Sequence, residues 1–167
     1  METLTIPTNA SRQEIYDNIL PQIAAIIKAE TNLIANLANI SAILKEALGF
    51  FWIGFYRNIE GELVLGPFQG TLACTRIPFH KGVCGACATQ QKTLVVPDVE
   101  QFPGHIACSS LSRSEIVVPL VQEGITKLVF DIDSVHLSHF SELDARYLEQ
   151  IMIFIDEQHP NINTEMV

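Results

Sequence analysis

The feature that most limits this chain is a long irregular stretch, Gly66 to Ser114, set between two β-hairpin patterns and holding every cysteine. Phe50-Phe51-Trp52-Ile53-Gly54-Phe55-Tyr56 is aromatic and β-branched and reads as a strand. Glu60-Gly61 is its turn signal and Glu62 to Leu65 its partner. Glu115 to Val121 and Ile125 to Ile132 make a second hairpin around Glu123-Gly124. The stretch between them is rich in glycine, proline and polar residues, with a short helix expected at about Gly82 to Gln90 and a short strand at Leu94 to Val96. A compact domain carries that much irregular backbone mainly where loops have a function.

Helical patterns occupy the two ends. Ser11-Arg12-Gln13-Glu14 is a capping box, and Ile15, Ile19, Ile23 and Ile27 follow at helical spacing. Pro21 inside that segment predicts a kink or a restart. Leu33, Leu37, Ile40, Leu44 and Leu48 form a second helical stripe, which Gly49 stops. A last helix runs from Ser141 to about Gln158, with Leu143, Tyr147, Leu148, Ile151, Phe154 and Ile155 on its apolar face and Pro160 beyond it. With no repeats, charge blocks or long linkers, residues 1–167 read as one domain, with 1–10 and 160–167 as flexible ends. The fold class is α+β: an antiparallel sheet flanked by N- and C-terminal helices on one side.

Composition narrows the function. The chain has 167 residues, 48% hydrophobic and 17% charged, enough for a proper core and far from the disordered class. A formal net charge of -9 repels phosphate backbones and argues against a nucleic-acid partner. No run approaches the roughly 20 apolar residues of a membrane helix, and Met1 to Ala10 carries no signal-peptide pattern, so no membrane role and a cytoplasmic location are expected. In a reducing compartment Cys74, Cys84, Cys87 and Cys108 are not staples. Their clustering points to redox chemistry or metal binding, set against the plainer reading of cysteine as a small buried hydrophobe.

Thiol-based reduction needs an accessible thiolate, a second cysteine within reach and a proton donor. Cys108 is the best nucleophile candidate, in the glycine- and serine-rich run Gly104-His105-Ile106-Ala107-Cys108-Ser109-Ser110. Cys84 and Cys87 form a C-x-x-C, but the βαβ surroundings of a thioredoxin-like motif are absent. A structural zinc drawing on Cys74, Cys84, Cys87, Cys108, His80 or His105 would want two ligand knuckles, and there is one. Asp131-Ile132-Asp133 ends a strand with both carboxylates on one face, and Glu115 starts the preceding strand. Facing a pocket, such a trio would keep a proton near neutrality and donate it to a departing oxygen, while an ionised member would hold an ammonium group. Facing water, it would do neither. Trp52 and Tyr56 share a strand face and would either wall a pocket for a thioether or serve as core.

Several blocks occur in a shared order: Gly61-Glu62-Leu63-Val64-Leu65-Gly66-Pro67-Phe68-Gln69-Gly70, Ala73-Cys74, Ile77-Pro78, Lys81-Gly82-Val83-Cys84-Gly85, Asp98-Val99, Phe102-Pro103-Gly104-His105-Ile106-Ala107-Cys108, Ser114-Glu115-Ile116-Val117-Val118-Pro119 and Asp131-Ile132-Asp133. Together they resemble the free methionine-(R)-sulfoxide reductases, a family built on a GAF domain. The resemblance implies a single GAF-like domain that reduces free L-methionine-(R)-sulfoxide without metal or organic cofactor. Cys108 matches the nucleophile, Cys74 the principal resolving cysteine and Cys84 the third family cysteine. The resemblance further implies thioredoxin as reductant and a homodimer. Glu115, Asp131 and Asp133 match substrate-binding carboxylates, and Trp52 and Tyr56 match aromatic pocket positions.

The alternative is a non-catalytic GAF sensor of small ligands or redox state. His80 and Leu128 stand where the family has glycines, and a side chain at Leu128 is expected to disturb the strand carrying Asp131 and Asp133. Cys87 is extra and is assigned to packing.

Overall fold

The computed structural model describes residues 4–164. Helix α1 (Arg12–Ala29) starts on the expected capping box, with Ser11 and Glu14 each accepting from the other's backbone N–H. It buries Tyr16, Ile19, Ile23 and Ile27 along one stripe. The predicted restart at Pro21 does not occur, and the helix is one element with the proline inside. Pro21 and Asp17, whose carbonyl loses its usual N–H partner, both lie on the exposed side, where water can replace the missing bond. Helix α2 (Leu33–Leu48) runs from an Asn32 cap to Gly49, which takes the left-handed conformation.

Six antiparallel strands follow: β1 (Trp52–Ile59), β2 (Glu62–Gln69), β3 (Arg76–Pro78), β4 (Leu94–Val96), β5 (Ser114–Gln122) and β6 (Ile125–Ser134), in the order β3-β2-β1-β6-β5-β4. Both hairpin turns are two-residue Glu-Gly pairs with positive φ throughout, the geometry that matches strand twist. β3 and a 3-10 turn at Val99–Gln101 had no counterpart in the sequence reading, being too short to show periodicity. Helix α3 (Gly82–Gln90) crosses the middle of the chain, and α4 (Glu142–Gln158) closes it.

The N- and C-terminal helices share one side of the sheet, as expected from sequence, and the internal α3 takes the other. α1, α2 and α4 cover one face, while α3 packs against β5 and β6 on the other. The reason lies in β5 and β6, which are apolar on both faces. Ile116, Val118, Leu120, Leu128, Phe130 and Ile132 point to the large helix-covered core, and Val117 and Val129 point to the α3 side. Strands buried on both faces read as near-continuous apolar runs, as Ile116-Val117-Val118 does.

Leu128 belongs to the helix-side core and is fully buried. Its side chain therefore projects away from the carboxylates, and β6 stays in register with β1 through Gly54↔Asp131 and Trp52↔Asp133. The ladder irregularity next to it falls between Leu120 and Val121, at the far end of the strand from Asp133. From Leu128 to Asp133 the pairing with β1 and β5 is unbroken, in the register that follows the one-residue shift beside the leucine.

Of the ends expected to be flexible, residues 1–3 and 165–167 lie outside the described residues. Within them, Gln22 bonds both the N–H and the carbonyl of Thr5, Ile162 is buried, and Thr164 accepts from the Glu60 N–H.

His80 sits at φ 68 on an exposed turn, the left-handed region that costs a residue with a Cβ roughly 1 kcal/mol. Its N–H, the group that holds the turn to Gly85 and Thr89, survives substitution. His80→Gly is expected to raise the melting temperature by about 2 °C, the offset being glycine's own entropy. A thermal melt that moves down would place the imidazole in a contact worth more than the strain.

Candidate active site

Three strands, one helix start and two loops converge on the α3 face of the sheet. Alternation along β6 puts Asp131 and Asp133 on that face, and pairing with β5 sets Glu115 directly opposite Asp133. β1 adds Trp52 and Tyr56 from the other side of β6. The first turn of α3 supplies Gly82, Val83 and Cys84 and brings the positive end of its dipole to the cavity. The loop after β2 contributes Cys74, and the loop before β5 contributes His105, Cys108 and Ser109.

Cys74 and Cys108, 34 positions apart, are joined as a disulfide with a Cα–Cα distance of 5.2 Å. Both cysteines are half-buried, so a partner in solution has access to the pair. The Trp52 indole N–H donates to the Thr71 carbonyl at 3.0 Å, and the Tyr56 hydroxyl donates to the Cys74 carbonyl at the same distance. The aromatic pair thus anchors the Cys74 loop, and it also lines a small crevice shared with Cys108, Asp131 and Asp133. Trp52 stacks between Tyr56 and Phe68, with ring centroids 6.2 and 5.4 Å away. Gly54 makes that stack possible, because a Cβ there would lie 2.7 Å from the indole and 2.4 Å from Phe68 Cβ.

A cavity of about 30 Å³ lies behind the disulfide, lined by Cys84, His105, Cys108, Glu115, Asp131 and Asp133. Glu115 and Asp131 are only 6% exposed. Burial, followed by repulsion from neighbouring carboxylates, pushes both well above the usual acid range. Asp133 is less enclosed; burial raises it to about 6 and a Ser112 hydrogen bond partly opposes this. The trio therefore retains protons near neutrality and titrates as a coupled unit. Burial also pushes the Tyr56 hydroxyl up, with Asp131 and the Cys84 thiol adding to it.

Cys84 is buried, its Sγ 3.7 Å from Glu115 Oε1, and burial with the nearby Asp131 and Glu115 keeps it a thiol. Cys87 points elsewhere, to the Val117 carbonyl at 3.6 Å, and is fully buried. The C-x-x-C pair consequently does not converge, and His80 lies exposed on its turn. His105 faces the cavity but burial lowers its pKa, outweighing Glu100, so it is a neutral neighbour of Cys108. Sequence reading missed Ser112 and the N-terminus of α3. Ser112 had no spacing signal, and the helix start matters only because β5 and β6 pass beneath it.

Residues 32–156 match the GAF domain family. A free methionine-R-sulfoxide reductase from Neisseria meningitidis, solved in complex with its substrate, superposes with a TM-score of 0.93 at 49% identity, covering 96% of each chain. The free methionine-R-sulfoxide reductase of Escherichia coli is 40% identical over 148 residues, 88% of this chain and 90% of its own length. This chain belongs to the free methionine-R-sulfoxide reductase family. GAF domain-containing protein A of Dictyostelium discoideum is similar too, at 56% identity over 150 residues, 89% of this chain and 95% of its own. Like the family fold, the chain is one GAF domain whose six-stranded sheet presents its carboxylate face to the loops.

Raised carboxylates carry a stability signature. Asp133 binds its proton more tightly folded than unfolded, so its contribution is fully present below about pH 4 and lost as pH rises through about 6. Asp133→Asn removes the charge that burial disfavours. The variant is expected to melt like the parent at the acid end and above it at neutral pH, by on the order of 1 kcal/mol after allowing for coupling and partial exposure. Identical melting differences at both ends of the pH range would show that Asp133 is not perturbed.

Proposed function

We propose that this chain is a cytoplasmic, thioredoxin-dependent reductase of free L-methionine-(R)-sulfoxide, with Cys108 as nucleophile. The observation that carries this reading is the Cys74–Cys108 disulfide closing a pocket of proton-retaining carboxylates. The substrate, an amino acid free of any peptide bond, enters between the aromatic wall and the acidic trio, where an ionised carboxylate holds its ammonium group. A protonated member of Glu115, Asp131 and Asp133 donates to the sulfoxide oxygen, making sulfur more electrophilic. Cys108 attacks sulfur; oxygen passes to the cysteine as a sulfenic acid and methionine leaves. The Cys74 thiol then attacks the sulfenic sulfur, giving the disulfide and water. Thioredoxin returns two electrons through dithiol exchange, and no metal or organic cofactor takes part.

Cavity size fits this order of events. About 30 Å³ holds a guest the size of one water, far less than an amino-acid sulfoxide. The disulfide form is then the product state, and reduction has to free the Cys108 loop before substrate enters. No described helix is long and apolar enough to cross a membrane. Assembly as a homodimer is part of the same proposal, and light scattering on eluting protein reads it directly.

The test follows NADPH loss with thioredoxin and its reductase, offering each sulfoxide epimer both free and within a peptide. Turnover of the free R epimer alone is expected. Folded, reduced protein inert toward all four forms would replace this reading with a ligand-binding GAF sensor.

A further inference from the structure

Cys84 Sγ, one oxygen of Glu115 and one of Asp131 all lie within 4.8 Å of one another, and all three residues are buried. Glu115 and Cys84 are 3.7 Å apart, close to the ligand–ligand spacing of a tetrahedral zinc site, where bonds of roughly 2.0–2.3 Å set it. Asp131 Oδ1 is buried and has no hydrogen-bond partner, although its residue is only 6% exposed. No lysine or arginine lines the adjoining cavity, so no side-chain cation pairs with the three acids there. The cavity itself, about 30 Å³, holds a guest the size of one water, which is room for a single ion and little else.

We propose that Cys84, Glu115 and Asp131 form a binding site for a borderline-soft divalent cation of the zinc type. A mixed set of one thiolate and two carboxylates suits Zn²⁺ and Co²⁺ and disfavours Mg²⁺ and Ca²⁺, which want oxygen alone. Binding deprotonates the Cys84 thiol, and the proton passes to solvent; the charge of the cation replaces the protons that burial otherwise forces on the site. Three protein ligands leave a fourth position open toward the cavity, on the side of His105 and Cys108. This is a different ligand set from a C-x-x-C knuckle, since Cys87 is turned to the Val117 carbonyl. The cation and the substrate's ammonium group would seek the same carboxylates, so the site is inhibitory. That last consequence rests on the proposed substrate pocket; cation binding itself does not.

Cobalt titration tests the site without any activity measurement. With Cys74 and Cys108 bonded to each other, Cys84 and Cys87 are the free thiols among the described residues. One equivalent of Co²⁺ is expected to give a thiolate-to-cobalt charge-transfer band, removed by one equivalent of Zn²⁺ and unaffected by excess Mg²⁺. Cys87→Ser should keep the band and Cys84→Ser should lose it. Asp131→Asn, which keeps the thiol, should weaken binding by more than the roughly 10–100-fold seen when an outer-shell partner is lost. No band in the parent protein, or a band that survives in folded Cys84→Ser, overturns the proposal.

A Cys74→Ser/Cys108→Ser double variant then asks whether the two guests share the pocket, since it cannot form the disulfide. Free methionine sulfoxide is expected to displace cobalt from it. A band that sulfoxide leaves untouched would remove the inhibitory role and count against the substrate pocket, while the cation site would stand.

Discussion

Cys108→Ser is expected to lower turnover at least a thousandfold, which corresponds to about 4 kcal/mol of lost transition-state stabilisation. A serine hydroxyl is a poor nucleophile toward sulfur and has no counterpart to the sulfenic acid that stores the substrate's oxygen. The substitution exchanges one sulfur for oxygen at a half-buried loop position on the edge of the smaller core, so the fold should persist. The comparison is made with both proteins reduced, because the parent otherwise keeps a cross-link over 34 positions that the variant lacks. Substrate binding should survive, and isothermal titration of the variant with the free R sulfoxide measures it. Multiple turnover by folded Cys108→Ser with thioredoxin would sink the mechanism outright.

Cys74→Ser separates the chemical step from its resolution. With thioredoxin as the only reductant, the variant is expected to release about one methionine per chain and then stall, holding Cys108 as a sulfenic acid. A sulfenic-acid trapping reagent followed by mass spectrometry should label Cys108 in the stalled protein and not in the cycling parent. Small-molecule thiols would restore cycling by attacking the sulfenic acid directly, so the thioredoxin assay is the decisive one. The alternative resolver is Cys84, which lines the same cavity. Its thiol is buried among carboxylates that hold it protonated, which makes it a slow nucleophile. Normal multiple turnover by Cys74→Ser would assign resolution to Cys84 despite that environment.

Much of this site was readable from local pattern. Asp131 and Asp133 share a face because side chains alternate along a strand, and that holds whatever the strand packs against. The two Glu-Gly turns set both hairpins, but it is the one-residue register shift between Leu120 and Val121, which no local pattern announced, that moves Glu115 from opposite Ile132 to opposite Asp133. Helix caps at Ser11 and Gly49 are likewise local rules, obeyed within a residue. Pro21 broke such a rule without ending its helix, because an exposed carbonyl can bond water instead.

What stayed hidden depends on contacts between distant segments. Strand alternation fixes which side a carboxylate takes, but only the covering of that side by α3 and the cysteine loops raises its proton affinity. Cys84 and Cys87 are three apart in sequence, yet packing sends one thiol to Glu115 and the other to a Val117 carbonyl. Trp52 and Tyr56 looked like wall or core; their hydrogen bonds to Thr71 and Cys74 make them anchors for a loop that begins far along the chain. Periodicity and turn chemistry act through neighbours a few residues away, and so they are written in the sequence. Burial, charge repulsion and the meeting of Cys74 with Cys108 act through space, and they exist only once the sheet has brought its loops together.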